Sequence, residues 1–271
     1  MRLLPFDLVR IAAASLVIAA HLGLAALGPF STGGIGVTLF LVMSGLLLAM
    51  TDKGQPWKEY LWKRAARIYP TYWACLCLSV LIVWMVPQTV VESVLMLTGT
   101  CAFAGQWGCS IVPTSWFIGL IMVLYALYPV LKWLIGQSPT LTLIGLFAIS
   151  AFMQRRGVLW LGLPHSPEWW FPLCRVFEFG VGIAAAPWVR RVSFPISPAW
   201  LTYVAELSFP AFLLHVPLLH WHLPLPLYLV AILTMSALAS ALVLYSTDSR
   251  RQRSLSAPTS VPSLAVAPPA N

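Results

Sequence analysis

Acid–base chemistry in a mostly apolar chain needs ionisable side chains, and the first of them stand close together: Asp7, Arg10 and His21. On a helical wheel they fall within about 60° of one another, so a helix through them carries a polar stripe. Asp7 and Arg10, three residues apart, are spaced to pair. His21 lies about 16 Å further along by helix rise. Arg10, near a helix end, either snorkels to the interface or serves a site. His21 is either a satisfied core histidine bridging two helices or a buried, neutral imidazole able to accept a proton.

A second cluster lies in the segment from Trp57 to Pro70. Drawn as a helix, Trp57, Tyr60, Leu61 and Ile68 form one apolar face, with Lys58, Glu59, Lys63 and Arg67 mostly elsewhere. Arg64 falls in the middle of the apolar face. A guanidinium so directed needs an anion, and a phosphate matches its planar donors. The alternative is a basic interfacial helix resting on anionic lipid headgroups. Further along, Arg175 and Glu178 are spaced for a buried pair, Glu206 stands alone, and His215 is deeper than His220 and His222, which flank Trp221 near an expected interface. There is no G-x-S-x-G, no phosphate-cradling glycine loop and no zinc-type His/Cys spacing, so no metal site is expected. Cys75 and Cys77 read as packing residues. Cys101 and Cys109 fall in a polar stretch expected outside, where a disulfide is open to them.

The elements that must position these groups are membrane helices. Of 271 residues, 59% are hydrophobic and 9% charged, against roughly 25% charged in a soluble domain. Such a chain has too little polar surface to face water, whereas lipid accepts an apolar exterior. The net charge of +8 does not form an aromatic-interleaved patch, which excludes nucleic acid as the expected partner. Runs approaching the roughly 20 residues of a spanning helix cover about 8–28, 33–51, 69–87, 115–135, 137–153, 171–189, 199–219 and 224–245. The expected fold is therefore all-α, a polytopic bundle of about eight spans with both termini cytoplasmic. Threaded so, Arg2, Arg10, Lys53, Lys58, Lys63, Arg64, Arg67, Lys132, Arg190, Arg191, Arg250, Arg251 and Arg253 lie inside, and only Arg155, Arg156 and Arg175 outside, as the positive-inside rule requires. Residues 88–114 read as an outside loop with a surface helix. The polar interruptions at Asp7, Arg10 and His21 argue against a cleaved signal peptide. Residues 1–246 form the membrane domain, and 247–271 read as a disordered cytoplasmic tail.

These residues also resemble a known family. Phe-Asp-Leu-Val-Arg10 followed by His21 resembles the opening of the acyltransferase-3 family of membrane O-acyltransferases. The run from Gly33 to Ser44-Gly45 is similar to that family's second helix, and Lys63-Arg64-Ala-Ala-Arg67-Ile-Tyr69-Pro70 to its R-x-x-R segment. Phe177-Glu178-Phe-Gly180 and Glu206-Leu-Ser208 through His215 resemble two later stretches, so the likeness spans most of residues 5–217. It implies transfer of an acyl group, usually acetyl, from cytoplasmic acyl-coenzyme A (acetyl-CoA) to a sugar hydroxyl. By the same resemblance His21 is the essential histidine and Arg10 its basic companion; Asp7, spaced to pair with Arg10, would orient it. Arg64, Arg67, Lys63 and Ser44 would handle the donor, and Glu178 and His215 would line the substrate cavity. The implied partners are a carbohydrate acceptor, membrane lipid and polysaccharide-assembly proteins, in a bacterial inner membrane. The imidazole would act as general base or carry the acyl group itself. Two features depart from the family pattern. Ile121 and Met122 occupy places that are often acidic, and two of the family's usual spans are missing between Val189 and Ser197. Both favour the alternative, a non-catalytic transporter or assembly partner on the same fold.

Overall fold

A computed structural model describes residues 3–24, 32–105, 111–163 and 166–256. Its helices are α1 (Leu4–His21), α2 (Thr32–Thr51), α3 (Trp57–Val83), α4 (Val90–Thr98), α5 (Trp116–Gln137), α6 (Pro139–Phe152), α7 (Val158–Trp160), α8 (Pro167–Trp170), α9 (Pro172–Val189), α10 (Ala199–Leu219) and α11 (Leu225–Ser256). Among the described residues there is no strand, only one isolated bridge between Leu3 and Ile196. Six of the helical segments are long and apolar enough to cross a membrane. Two more complete the bundle. The segment α6 is short, but a π-turn over Met153–Gly157 carries the helix on into α7. Helix α9 loses hydropathy to Arg175 and Glu178, which answer each other as an ion pair at 2.9 Å. The expected number of about eight spans thus stands as an approximate one.

One face of the bundle collects the basic residues. Leu4 N donates to Pro195 O at 2.9 Å, Arg190 donates to Ala49 O, and Lys132 pairs with Asp52 at 2.6 Å. Burial alone would raise the Asp52 carboxyl. The Lys132 ammonium, the Gly54 N–H and the Tyr128 hydroxyl together hold it below its ordinary value. Exposed tryptophans belt both ends, Trp57, Trp62, Trp133 and Trp188 on the basic side and Trp84, Trp160 and Trp221 on the other. This is the level at which an amphipathic ring meets headgroups.

Helices α2 and α9 cross with backbones touching, because each offers a glycine there. A Cβ on Gly45 would strike Phe179 O, and one on Gly182 would strike Val42 O. In lipid, where no hydrophobic force draws helices together, such close approach is what holds them. Prolines are tolerated for a related reason. Pro129 withholds a donor from Tyr125 O, and the Tyr60 hydroxyl supplies one at 3.3 Å. Pro217 does the same to Leu213 O, which accepts from Thr114 Oγ1 at 3.2 Å. A carbonyl orphaned in hydrocarbon is costly, so neighbouring side chains replace the missing N–H.

Two sequence expectations are revised. Residues 90–98 do not lie flat on the outer face. Helix α4 folds back to the middle of α3, where Tyr72 donates to Met96 O, Trp73 to Leu97 O at 2.9 Å and Tyr69 to Thr98 O at 3.0 Å. The last carbonyls of any helix lack internal partners, and here the aromatic donors of α3 meet them. Beyond it Thr114, just before α5, and Trp116, its first residue, line the same cavity as His21 at the end of α1, which fits the expected orientation of the later helices. Cys101 beyond it is disulfide-bonded, and its expected partner Cys109 lies outside the described residues. Helix α11 continues to Ser256, past the expected tail boundary at Thr247. The polar residues there carry no helix breaker before Pro258, and 257–271 lie outside the described residues.

Candidate active site

Two cavities open into the bundle from opposite ends. The one at the basic face, about 370 Å³, is lined by Arg10 of α1, Ser44 of α2, Arg64 and Arg67 of α3, Ile121 and Tyr125 of α5, and Glu206 of α10. Three guanidiniums against one carboxylate make it an anion site in a largely apolar wall. Arg10 pairs with Asp7 at 3.4 Å, and Asp7, buried, also accepts from Thr202 Oγ1 at 3.2 Å. Arg64 sits half-buried, donating to Thr51 Oγ1 at 3.1 Å and lying over the Tyr60 ring at 5.8 Å. Its buried Nε has no hydrogen-bond partner among the described residues, a donor left for a ligand.

The second cavity, about 460 Å³, is lined by Val17, Ala20 and His21 of α1, by Thr114, Trp116 and Trp169, and by Phe212 and Val216 of α10. His21 is the last residue of α1, and its side chain is exposed to this space. Beside it lies His215, fully buried, with ring centroids 4.8 Å apart at 71°. Among the described residues, neither of these two cavities is lined by both His21 and Arg10. Phe40, Phe117 and Phe212 pack between the two cavities with centroids 5.2 to 6.0 Å apart.

The stripe expected on α1 is therefore divided. Asp7 and Arg10 meet at the basic end, whereas His21, expected to be buried, stands in the opposite cavity because α1 ends there. Lys63 does not join Arg64 and Arg67; it turns away to pair with Glu59 at 2.5 Å. Glu178 lines neither cavity, being committed to Arg175, whose guanidinium stacks on Trp169 at 5.8 Å. His215 also lines neither, but touches His21. Ile121, which departs from the pattern that the resemblance led one to expect, is a buried wall of the basic cavity. Sequence reasoning gave no site role to Tyr125, Trp116 or Trp169; the first and second fit a stretch of the family pattern, but an aromatic residue's sequence context does not reveal which cavity it lines.

No curated protein and no solved structure matches the chain. A family model described as an acyltransferase domain, Acyl_transf_3, matches residues 4–256, nearly the whole chain. With its multi-pass helical fold, the chain belongs to the acyltransferase-3 family and is a membrane acyltransferase.

Proposed function

We propose that the protein moves an acyl group, acetyl by family resemblance, from acyl-coenzyme A to a hydroxyl of a cell-surface or lipid-linked carbohydrate. The observation that carries this reading is the opposition of the two cavities, guanidiniums at one end and an imidazole at the other. The excess of Lys and Arg on the Arg64 face marks it as cytoplasmic, where the donor is made. Arg64 and Arg67 would hold the donor's phosphates, with Arg10 and Ser44 deeper in the same cavity. The acceptor would enter from the other side, a sugar ring resting on the indoles of Trp116 and Trp169 while its hydroxyl meets His21. Apolar walls with few polar anchors are usual for such pockets. For the groups to meet, the thioester must pass the three phenylalanines, so in this reading their rings turn aside during the reaction.

The test uses labelled acetyl-coenzyme A and membranes containing the wild type or a variant. With His21→Ala, incorporation into glycan should fall by about 10²–10⁴-fold. Arg64→Ala and Arg67→Ala should each raise the donor KM by about 10-fold or more, the worth of a charge-assisted hydrogen bond. Undiminished incorporation by His21→Ala would sink the reading.

A further inference from the structure

The hydrogen bonds around the two imidazoles fix which nitrogen of each carries a proton. His21 Nδ1 lies 2.9 Å from Val17 O, and His215 Nδ1 lies 2.7 Å from Phe212 O. A carbonyl oxygen can only accept, so both Nδ1 atoms bear hydrogen. His215 Nε2 then faces His21 Nδ1 at 3.3 Å. Two N–H groups cannot point at one another, so His215 Nε2 is a bare lone pair. The His21 Nδ1–H is shared between Val17 O and that lone pair, and His21 Nε2 is left without a hydrogen-bond partner among the described residues.

The backbone beneath His215 is held from two further directions. Tyr228 of α11 donates its hydroxyl to His215 O at 2.7 Å, and Thr114 holds the Leu213 carbonyl that Pro217 leaves free. A histidine kept merely to fill space would not need a lone pair aimed at His21.

We propose that His215 is the positioning residue for His21, selecting its Nδ1–H tautomer and accepting from it as positive charge develops. This rests on the reading of His21 as the base. In the step, His21 Nε2 takes the proton of the sugar hydroxyl as that oxygen bonds to the thioester carbonyl carbon. The C–S bond then breaks, and the departing thiolate takes the same proton from the imidazolium, leaving ester, free thiol and neutral His21. Throughout, the hydrogen on His21 Nδ1 stays bonded to that nitrogen and hydrogen-bonded to His215 Nε2, so His215 gains and loses no proton. A neutral imidazole here does what a carboxylate does for other catalytic histidines, orienting the ring and sharing its charge.

The experiment compares His215→Phe and His215→Gln with wild type in native membranes, measuring kcat and the acetyl-coenzyme A KM, alongside His21→Ala. In Gln the side-chain oxygen can stand near the place of Nε2 and accept, while Phe keeps the ring and accepts nothing. His215→Phe should lower kcat by about 10- to 100-fold with KM unchanged, and His215→Gln should restore most of it. Equal activities for wild type and His215→Phe, or a loss carried in KM, overturn the proposal while leaving His21 as base if His21→Ala is inactive. An active His21→Ala instead overturns the reading beneath it. Should His215→Phe fail to insert, ¹⁵N-histidine NMR of the wild type in nanodiscs decides. Both residues must show a protonated Nδ1 and a bare Nε2, and a His215 proton on Nε2 refutes the assignment.

Discussion

Substituting Gly182→Ala tests the close crossing of α2 and α9. The added Cβ would meet Leu46 N at 2.7 Å and Val42 C at 2.9 Å, besides striking Val42 O. All three are backbone atoms, so no rotamer change relieves the clash, and the helices must part until ordinary contact is regained beyond 3.4 Å. Overpacking of this kind costs about 1–3 kcal/mol, partly offset by the better helix propensity of alanine, worth up to about 1 kcal/mol. A net loss of about 2 kcal/mol corresponds to a fall in Tm of about 4–8 °C for a chain of this size. Thermal unfolding in detergent, followed by tryptophan fluorescence, measures it. Gly145→Ala is the matched control, since its Cβ would meet nothing within 4 Å, and its Tm should be unchanged or slightly raised. A Gly182→Ala protein as stable as Gly145→Ala would refute the reasoning. Because α2 lines both cavities, Gly182→Ala should also lower acyl transfer more than Gly145→Ala does.

Other expectations follow from the same geometry. Tyr60→Phe leaves Tyr125 O unsatisfied and should cost about 1 kcal/mol or more. Adding Pro129→Ala restores a backbone donor to that carbonyl, so a double-mutant cycle should show the two changes to be non-additive. Asp52 contributes stability at neutral pH that disappears as pH falls through its lowered folded value, because its partners favour the carboxylate. Asp52→Asn should abolish that acid-side loss in a Tm-versus-pH series. Arg64→Lys should recover only part of the donor affinity lost in Arg64→Ala, since an ammonium lacks the planar fork, as titration of the KM would show.

The sequence carried the architecture well because lipid imposes a simple code: apolar length, flanking charge and interfacial tryptophan. It also singled out the candidate groups, since ionisable residues inside spans are few. What it could not carry was depth and direction. His21 and Arg10 share a helix face, yet their opposition across the bundle depends on where α1 ends relative to three rings from α2, α5 and α10. Lys63 and Arg64 are neighbours in sequence, but Glu59 captures the first and Thr51 the second. Glu178 was open to two readings, a pair with Arg175 or a cavity acid, and the i,i+3 spacing that allows the pair does not say which; the ion pair at 2.9 Å decides it. The fold-back of α4 was hidden because its anchors are three aromatic side chains some 25 residues upstream, and nothing in a hydropathy profile registers a capped carbonyl.

The layer formed by Phe40, Phe117 and Phe212 has an electrical consequence. With an open cavity on each side, water entering both would make the membrane voltage fall across a short apolar plug rather than the full bilayer thickness. Moving one elementary charge through that drop involves about 2.3 kcal/mol per 100 mV. In the proposed reaction an uncharged acetyl group makes the passage while the donor's phosphates remain at the guanidiniums. Turnover would therefore be indifferent to membrane potential, and the plug would stop ions from leaking through the path that the acyl group takes.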